Sequence, residues 1–438
     1  MPAGEQEVIE TIATPLGWYY LIVCAVNVGA GVCWVRRGRR GTAFAWLAVA
    51  AGFGLLGLTA LWGRPLAMPD VLKTAIDAAL GPVTMTLGTL CVLLILYVGR
   101  EFFVRPVVAW TGLNVSLLFM GASMADPEFA EVVTEPDNVP IVAMVYLLGF
   151  FTWLGAFLAV KNDARLRGGT GPREGEFRDT VLVWPDLVYI ELIAMVIVSV
   201  VLIVWSLALR APLEQPANPV LTPNPSKAPW YFLGLQEMLV FFDASVAGVI
   251  LPALIILGLM AIPYLDFNPE GSGYYTIAQR KFSYLVFQFG FLGLWILLIL
   301  IGTFMRGPNW NFFGLYEPRD PYKVPALANI KLSEYFWGVW LGLSVPRAPA
   351  SSGVLSELGW ILWREIAGIV FLALWFVGLP PLLGRTILRQ FRRRMGFGRY
   401  TIMVLLLLMM LMLPLKMILR WTFNLSCLVS IPEYFFNF

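Results

Sequence analysis

The chain has 438 residues, of which 59% are hydrophobic and 13% are charged, and its mean hydropathy is +0.75. A soluble globule of this size needs many more charged residues at its surface, so the composition excludes a water-soluble protein and indicates an integral membrane protein. The net charge of +3 says little by itself, because the position of the basic residues matters most in a membrane protein. We expect the lipid bilayer as the medium and no nucleic acid as a partner.

Apolar blocks of about 20 residues, the length that crosses ~30 Å of hydrocarbon, recur along the chain. They predict an all-α fold, a polytopic membrane helix bundle with about ten transmembrane helices. No soluble domain is long enough to fold between the blocks, and no internal repeat is evident. In chain order, the predicted spans are 16–35, 42–62, 81–99, 106–124, 140–160, 186–209, 246–265, 283–304, 360–384 and 400–419.

The cysteine pattern and the first residues exclude several kinds of site. The four cysteines form neither a CxxC nor a CxxCH motif, and three lie in apolar blocks, where a small core residue is the simplest interpretation. This pattern alone builds no disulfide, metal site or c-type haem attachment. The start lacks the basic stretch of a cleavable signal peptide, so we expect the first apolar block to stay as a span. The cysteines are Cys24, Cys33, Cys91 and Cys427.

Basic residues are concentrated in alternate loops between the predicted spans. Loops on the opposite side are poorer in bases, and the loop 126–137 is acidic. The positive-inside rule therefore predicts that the arginine-rich loops are cytoplasmic and that both termini lie on the outer, electropositive (p) side. The bases of the arginine-rich side are Arg36, Arg37, Arg39, Arg40, Arg100, Arg105, Lys161, Arg165, Arg167, Arg173, Arg178, Arg280, Lys281, Arg385, Arg389, Arg392, Arg393, Arg394 and Arg399.

The region 184–232 contains an ordered set of motifs. They are Trp184-Pro185-Asp186-Leu187-Val188-Tyr189-Ile190, then Pro216-Ala217-Asn218-Pro219, Thr222-Pro223 and Lys227-Ala228-Pro229-Trp230-Tyr231-Phe232. In order and spacing this set resembles the C-terminal half of cytochrome b, and still more the separate subunit IV of the Rieske–cytochrome b (bc1/b6f-type) complexes. The resemblance covers about 184–305 and leaves out the first five predicted helices.

Six prolines restrict the loop before Trp230, because proline fixes φ and prevents a helix. Such irregular backbone is tolerated near a membrane where protein or a cavity covers it, and a cleft lined by aromatic rings suits a flat apolar ligand. The resemblance implies that this ligand is a quinol, oxidised on the p side. We predict quinol binding by Trp230, Tyr231, Phe232 and Gln236, and a loop shaped by Asn218, Pro219, Thr222, Pro223, Lys227 and Pro229.

Glu237 is the expected proton acceptor of this site. Aligned on Trp230 and Tyr231, the family's proton-accepting glutamate is replaced here by Pro229. Glu237 lies in an otherwise apolar run, where a carboxylate is costly unless it is exposed, paired or functional. Partial desolvation would raise its pKa towards the range for proton transfer. The alternative places Glu237 on the wet face of a surface helix; Asp243 is a less favoured acid.

Two further acids lie at the cytoplasmic start of the sixth predicted helix. Asp186 has two interpretations. It either caps the helix and interacts favourably with the helix dipole, or it admits protons to an inner-side quinone site. Glu191, one turn later, is unusual inside a span and needs a partner or water. We predict a proton-transfer role for both.

The absence of histidine decides the division of labour within such a complex. The resemblance implies two haems b held by histidine pairs and a Rieske 2Fe-2S cluster that itself needs histidine ligands, but this sequence contains no histidine. It therefore has no haem ligands of this kind and no metal ligands. The expected partners are a cytochrome b6-like diheme subunit, a Rieske iron–sulfur protein and a cytochrome c-type subunit, in a dimeric complex of the bacterial inner membrane.

These observations predict three regions: 1–165, a five-helix region of unknown role; 184–305, the quinol-site core; and 306–438, an aromatic p-side loop with two C-terminal spans. The predicted function is a haem-free subunit of a quinol:cytochrome c oxidoreductase, which is not catalytic alone. One alternative is a structural subunit of such a complex without quinol chemistry. Another is an ion- or proton-translocating transporter subunit, although no inverted repeat is evident.

Overall fold

A computed structural model of the protein describes residues 3–176, 181–208, 216, 218–220, 222–271, 273–324, 327–349, 353–434 and 436–438. Most of these residues are helical, and four short strands are present. Within this part of the chain, nine helices are long and apolar enough to cross a membrane, or ten with one bent pair of helices. The prediction of an all-α, polytopic membrane protein is confirmed. The side of the membrane on which the termini lie stays a prediction.

The first eight helices precede the region with the ordered motifs. The long helices α1 and α2 form a hairpin whose core contains the buried side chains of Tyr20 and Phe53. In chain order the helices are α1 (Ala3–Arg36), α2 (Arg40–Leu61), α3 (Asp70–Ala79), α4 (Pro82–Val98), α5 (Arg100–Phe103), α6 (Pro106–Ser123), α7 (Pro127–Thr134) and α8 (Val139–Arg167).

The later helices include several that continue through π-helical turns. Four continuous spans arise in this way: Val183–Ala208, Val246–Leu265, Lys281–Met305 and Ile366–Arg385. In chain order the helices are α9 (Val188–Ala208), α10 (Trp230–Met238), α11 (Leu251–Leu265), α12 (Lys281–Phe287), α13 (Leu297–Leu300), α14 (Leu332–Glu334), α15 (Val354–Arg364), α16 (Ile366–Ala373), α17 (Leu379–Arg385) and α18 (Arg389–Phe423).

Two predicted spans differ from the structure. The span predicted at 81–99 is α4, and it forms a pair with α3 that is bent by 83°. The bend arises because Gly81 is extended before Pro82, and a proline disfavours helical backbone in the preceding residue. The span predicted at 360–384 is divided at Glu365, so that α15 ends before the span Ile366–Arg385 begins.

The four strands lie in the C-terminal third. β1 (Ile330–Lys331) pairs in parallel with β2 (Leu425–Cys427), and β3 (Ser430–Ile431) pairs antiparallel with β4 (Phe436–Asn437). The first ladder ties the segment after α18 to the loop around residue 330, and the second pairs two strands within that segment.

The described residues form two compact units. One comprises Met1–Ile141, Asn224–Pro269 and Phe282–Phe438, and the other comprises Val142–Pro223 and Glu270–Lys281. The main core of the first unit is formed by α10, the span Lys281–Met305 and α18. The division into three regions that the sequence suggested stays a prediction.

The second unit is held by polar contacts at the end of α8. The buried carboxylate of Asp163 accepts hydrogen bonds from the N–H groups of Ile277 and Ala278, at 3.2 and 3.1 Å from Oδ1. Asn162 Nδ2 donates to the carbonyl oxygen of Tyr275 at 3.1 Å. These contacts fix the segment 270–281 on the end of α8.

Candidate functional site

The short helix α10 is positioned by its apolar face. It begins directly after Pro229, whose extended backbone precedes the first turn. Leu233, Gly234, Glu237 and Met238 are buried, which is the spacing of one helix face. A methyl group at Gly302 would lie 2.8 Å from Leu233 Cγ, so a glycine at this position lets α10 approach the span Lys281–Met305 closely.

Glu237 forms a buried, bidentate ion pair with Arg306. Arg306 Nε donates to Oε2 at 2.9 Å and Nη2 donates to Oε1 at 2.5 Å. The two side chains are 0% and 2% exposed. Trp310 Nε1 donates to the same carboxylate at 3.2 Å, and Arg306 Nη1 donates to the Trp310 carbonyl oxygen at 2.8 Å. The alternative that placed Glu237 on the wet face of a surface helix is therefore wrong.

The electrostatics of Glu237 are a balance of opposed effects. Burial raises the pKa of Glu237 from its ordinary value, while the charge and hydrogen bonds of Arg306 and the Trp310 indole lower it. The rings of Phe312 and Trp421 lie 5.9 and 5.5 Å from the Arg306 guanidinium carbon and complete its surroundings. Protonating the carboxylate leaves a buried guanidinium without its counter-charge, so this geometry favours a structural tie.

The loop before α10 is braced by Gln236 and Lys227. The Gln236 amide accepts a hydrogen bond from the Ala228 N–H at 2.7 Å and donates to the Ser226 carbonyl oxygen at 2.9 Å. Lys227 Nζ donates to the Thr303 carbonyl oxygen at 2.8 Å. Burial lowers the pKa of Lys227, and the charge of Glu135 opposes this effect. Both side chains therefore hold the loop against α10 and the end of the span Lys281–Met305.

A pair of asparagines joins this loop to the segment after Arg306. Asn309 N–H donates to Asn224 Oδ1 at 2.7 Å, and Asn224 Nδ2 donates to Asn309 Oδ1 at 3.0 Å. Asn309 and Trp310 have φ of 57° and 58°, a left-handed turn that returns Trp310 to Glu237. We call Asn224, Lys227, Gln236, Glu237, Arg306 and Trp310 the α10 cluster.

Trp230, Tyr231 and Phe232 form an open aromatic surface at the start of α10. Their exposed fractions are 41%, 52% and 53%. The ring centroids of Trp230 and Tyr231 lie 5.7 Å apart, and those of Tyr231 and Phe232 lie 4.8 Å apart. Such a surface offers flat apolar area to a ligand or a partner chain.

The remaining predicted site residues lie in the unit Val142–Pro223. Asn218 Oδ1 accepts a hydrogen bond from the Val220 N–H at 2.9 Å, which fixes a local turn, and Pro219, Thr222 and Pro223 are exposed. The predicted role of these four residues in shaping the loop stays a prediction.

Asp186 and Glu191 are exposed at the start of the span Val183–Ala208. Asp186 lies in a π-helical turn, and among the residues that the structure describes its carboxylate accepts no capping hydrogen bond. Asp186 lies in the first turn of the span, where an acid interacts favourably with the helix dipole. Their proton-transfer role stays a prediction.

The sequence did not point to Arg306, Asn224 or Asn309, and it described the loop that contains Trp310 only as aromatic. Arg306 directly follows the span Lys281–Met305, a position where a basic residue ordinarily marks only the end of a span. The signal that could have found it is the need of Glu237 for a partner, since a carboxylate in an apolar run is costly alone.

Part of the chain matches a known protein family. Residues 216–314 match the family described as Cytochrome b(C-terminal)/b6/petD. In this segment the chain is therefore similar to the C-terminal cytochrome b family. The matched cytochrome b segment includes α10, the span Lys281–Met305 and every residue of the α10 cluster. The resemblance predicted from the sequence is thus confirmed here, while the motif around Asp186 lies outside the match.

Cytochrome b-type proteins are parts of redox enzyme complexes, so the match supports a role in electron transport for this multi-pass membrane protein. No solved structure matches the chain.

Proposed function

We propose that this chain is a haem-free membrane subunit of a Rieske–cytochrome b quinol:cytochrome c oxidoreductase, in which α10 and its aromatic surface form part of the p-side quinol oxidation site. The family match over 216–314 carries the proposal, because it includes both the aromatic surface and the cluster that holds it. The complex would lie in the bacterial inner membrane and be dimeric.

The side chains at the start of α10 fit a quinol. Trp230, Tyr231 and Phe232 are about half exposed and present ring faces and edges to a flat apolar ring. A bound quinol would supply two electrons and two protons. The three aromatic residues would bind and orient the ring, and Gln236 would keep the loop in place, since both ends of its amide are bonded to the loop backbone.

The chain does not fit haem b coordination, since it offers no histidine for the axial positions. We therefore assign the haems to a cytochrome b6-like diheme partner and the 2Fe-2S cluster to a Rieske partner. A cytochrome c-type subunit would receive the electrons. This division leaves the present chain with the tasks of shaping the quinol site and moving protons.

For Glu237 we propose a positioning role rather than proton acceptance. Its carboxylate is fully buried, and both oxygens accept hydrogen bonds from Arg306. Accepting a proton would break the charge balance of this pair, whereas holding the pair fixes α10. Proton acceptance by Glu237 is the competing proposal. Asp186 and Glu191 are both exposed at the start of the span Val183–Ala208, and we propose that they admit protons there to an inner-side quinone site.

Replacing one ring of the aromatic surface tests the quinol site. Tyr231→Ala should raise the KM for quinol, because an aromatic contact contributes about 0.5–1.5 kcal/mol, equivalent to at most about tenfold. The matched control is Tyr322→Ala, another exposed tyrosine of the same unit, which should leave KM unchanged. Both variants are measured as intact complexes, with quinol and cytochrome c as substrates.

The same assay separates a second candidate, a structural subunit without quinol chemistry. Its support is that Pro229 stands at the family's glutamate position and that Glu237 is enclosed in an ion pair. A complex that assembles normally and keeps the wild-type KM in the Tyr231→Ala variant would contradict the quinol-site proposal and favour this candidate.

A further inference from the structure

The turn between α17 and α18 forms an open cavity of about 470 Å³ that is lined by arginine. Its lining residues are Gly384, Arg385, Arg389, Arg392 and Arg393. Among the residues that the structure describes, none of these four arginines forms an ion pair with a carboxylate. Within the described part of the chain, the cavity is therefore a concentration of positive charge that no carboxylate pairs with.

Apolar anchors hold the turn so that the arginines point outwards. Leu388 and Met395 are buried, at 8% and 7% exposure, in a core cluster with Tyr400. Arg389, Arg392 and Arg393 lie between these anchors and Arg385 precedes them, and all four arginines are exposed. The alternation follows from helical spacing, in which apolar residues face the bundle and the intervening residues face outwards.

Gly384 allows the floor of the cavity to form. A methyl group at this residue would lie 2.8 Å from both Arg392 Cδ and the Tyr400 hydroxyl. That hydroxyl is itself fixed, because it donates a hydrogen bond to the Pro380 carbonyl oxygen at 2.7 Å. A side chain at residue 384 would push the stem of Arg392 out of the cavity.

The cavity lies where one candidate membrane span, Ile366–Arg385, ends and the next, Arg389–Phe423, begins. Gly396, with φ of 76°, breaks α18 and separates the arginine-rich first turns from the apolar remainder. Ile387 and Phe397 flank the arginines and are 82% and 80% exposed. Large exposed apolar side chains beside a row of arginines at the end of a span are typical of contact with the headgroup and upper acyl region of a bilayer.

The charge and the exposed apolar side chains of this cavity favour a phosphate anion that carries acyl chains. Four guanidinium groups around one opening repel each other, and a bound anion relieves that repulsion. Guanidinium groups match phosphate through paired N–H···O bonds. A phosphate that carries acyl chains would also cover Ile387 and Phe397. We propose that this cavity binds the phosphate headgroup of an anionic phospholipid.

Labelling of the wild-type complex tests this directly. The complex is placed in vesicles of equal parts phosphatidylcholine and phosphatidylglycerol, with a photoreactive probe on one lipid or the other. Photoreactive phosphatidylglycerol should label peptides from residues 380–400 several-fold more than photoreactive phosphatidylcholine. Equal labelling by the two lipids would overturn the proposal.

A variant set supplies the second arm. Arg389→Gln, Arg392→Gln and Arg393→Gln combined should lose at least half of the phosphatidylglycerol that survives detergent exchange. The matched control, Arg37→Gln, Arg39→Gln and Arg40→Gln in the exposed turn after α1, should retain the wild-type amount. Equal losses of phosphatidylglycerol from the two triple variants would contradict the proposal. If the first variant does not assemble, the labelling result decides alone.

Inorganic phosphate separates the lipid from a free anion. Millimolar phosphate should not displace phosphatidylglycerol, because the acyl chains add contacts that free phosphate lacks. Displacement would identify a site for free phosphate and would overturn the lipid proposal.

Discussion

Two bidentate arginine–glutamate pairs occur in the same unit of this protein, one in its interior and one near its surface. In the α10 cluster, Arg306 binds Glu237 with distances of 2.9 and 2.5 Å. Near the C-terminus, Arg364 binds Glu433 with distances of 2.7 and 3.0 Å. The side chains of the first pair are at most 2% exposed, whereas those of the second are 14% and 31% exposed.

The pKa values of the two glutamates shift in opposite directions, although each glutamate pairs with an arginine. Burial raises the pKa of Glu237 despite Arg306, whereas the hydrogen bonds from Arg364 lower the pKa of Glu433 to about 2. The degree of burial, rather than the arginine partner, thus sets the direction of the pKa shift. Glu433 stabilises the C-terminal segment when ionised, while the buried pair gains little net stability and is best explained by the position it gives α10.

Removing the arginine of the buried pair should have the largest effect. Arg306→Gln leaves Glu237 with the Trp310 indole alone, and we expect a loss of roughly 3–5 kcal/mol in the free energy of unfolding. Since the variant lacks the cation, the pKa of Glu237 rises further, so its stability should fall as pH rises above the ordinary value of 4.5. Unfolding of the complex in mixed micelles, between pH 5 and pH 8, measures both.

The control for this variant is Arg347→Gln, at an exposed arginine of the same unit, which should change stability by less than about 0.5 kcal/mol. A loss from Arg306→Gln that is as small as that of the control would show that the buried pair does not hold α10.

Replacing Glu237 should cost less than replacing Arg306. In Glu237→Gln the guanidinium keeps its hydrogen bond to the Trp310 carbonyl oxygen and its contacts with two aromatic rings, so we expect a loss of about 1–3 kcal/mol. Turnover with quinol should fall by a similar factor at every pH, because the change displaces α10. A pH profile of altered shape would instead support Glu237 as the proton acceptor.

The exposed pair should contribute less still. Glu433→Gln should lower stability by about 1 kcal/mol, a value reduced for the partial exposure of the pair. Because the pKa of Glu433 is depressed, the difference between wild type and variant should be full above pH 4.5 and should close as pH falls towards about 2. A pH-independent difference would contradict this assignment.

The exposed acid Asp186 should have the smallest effect on stability. Asp186→Asn should change stability by less than about 0.5 kcal/mol, because its carboxylate is exposed and accepts no hydrogen bond within the described chain. If it admits protons, proton uptake by vesicle-embedded complex should slow on the inner side, whereas Asp137→Asn should leave uptake unchanged. A loss of folded protein would instead favour a helix-capping role.

Local signals predicted much of this fold, and long-range contacts account for most of what was missed. Apolar blocks predicted the spans because crossing hydrocarbon requires a continuous run of about 20 residues. An acid in an apolar run drew attention to Glu237, but its partner Arg306 is 69 residues away and no periodicity connects them. The bend at Gly81 was missed because the apolar block alone does not show how its preceding helix is oriented.

Contacts of the N-terminal helices illustrate the same limit. Ser123 Oγ and the Tyr316 hydroxyl lie 2.7 Å apart, and the rings of Phe129 and Tyr316 stack at 5.7 Å. Asp77 Oδ1 accepts a hydrogen bond from the Tyr316 N–H at 3.2 Å. The N-terminal helices, to which the sequence assigned no role, thus hold the loop that follows the matched cytochrome b segment.

The most direct test of the proposed function is the composition of the complex that this chain forms. The complex is purified through a tag on this chain, and its redox-difference spectrum and quinol–cytochrome c activity are recorded. We expect b-type haem on a histidine-bearing partner, a Rieske signal and quinol-dependent reduction of cytochrome c. Absence of b-type haem from every co-purifying chain would contradict the assignment to a Rieske–cytochrome b complex.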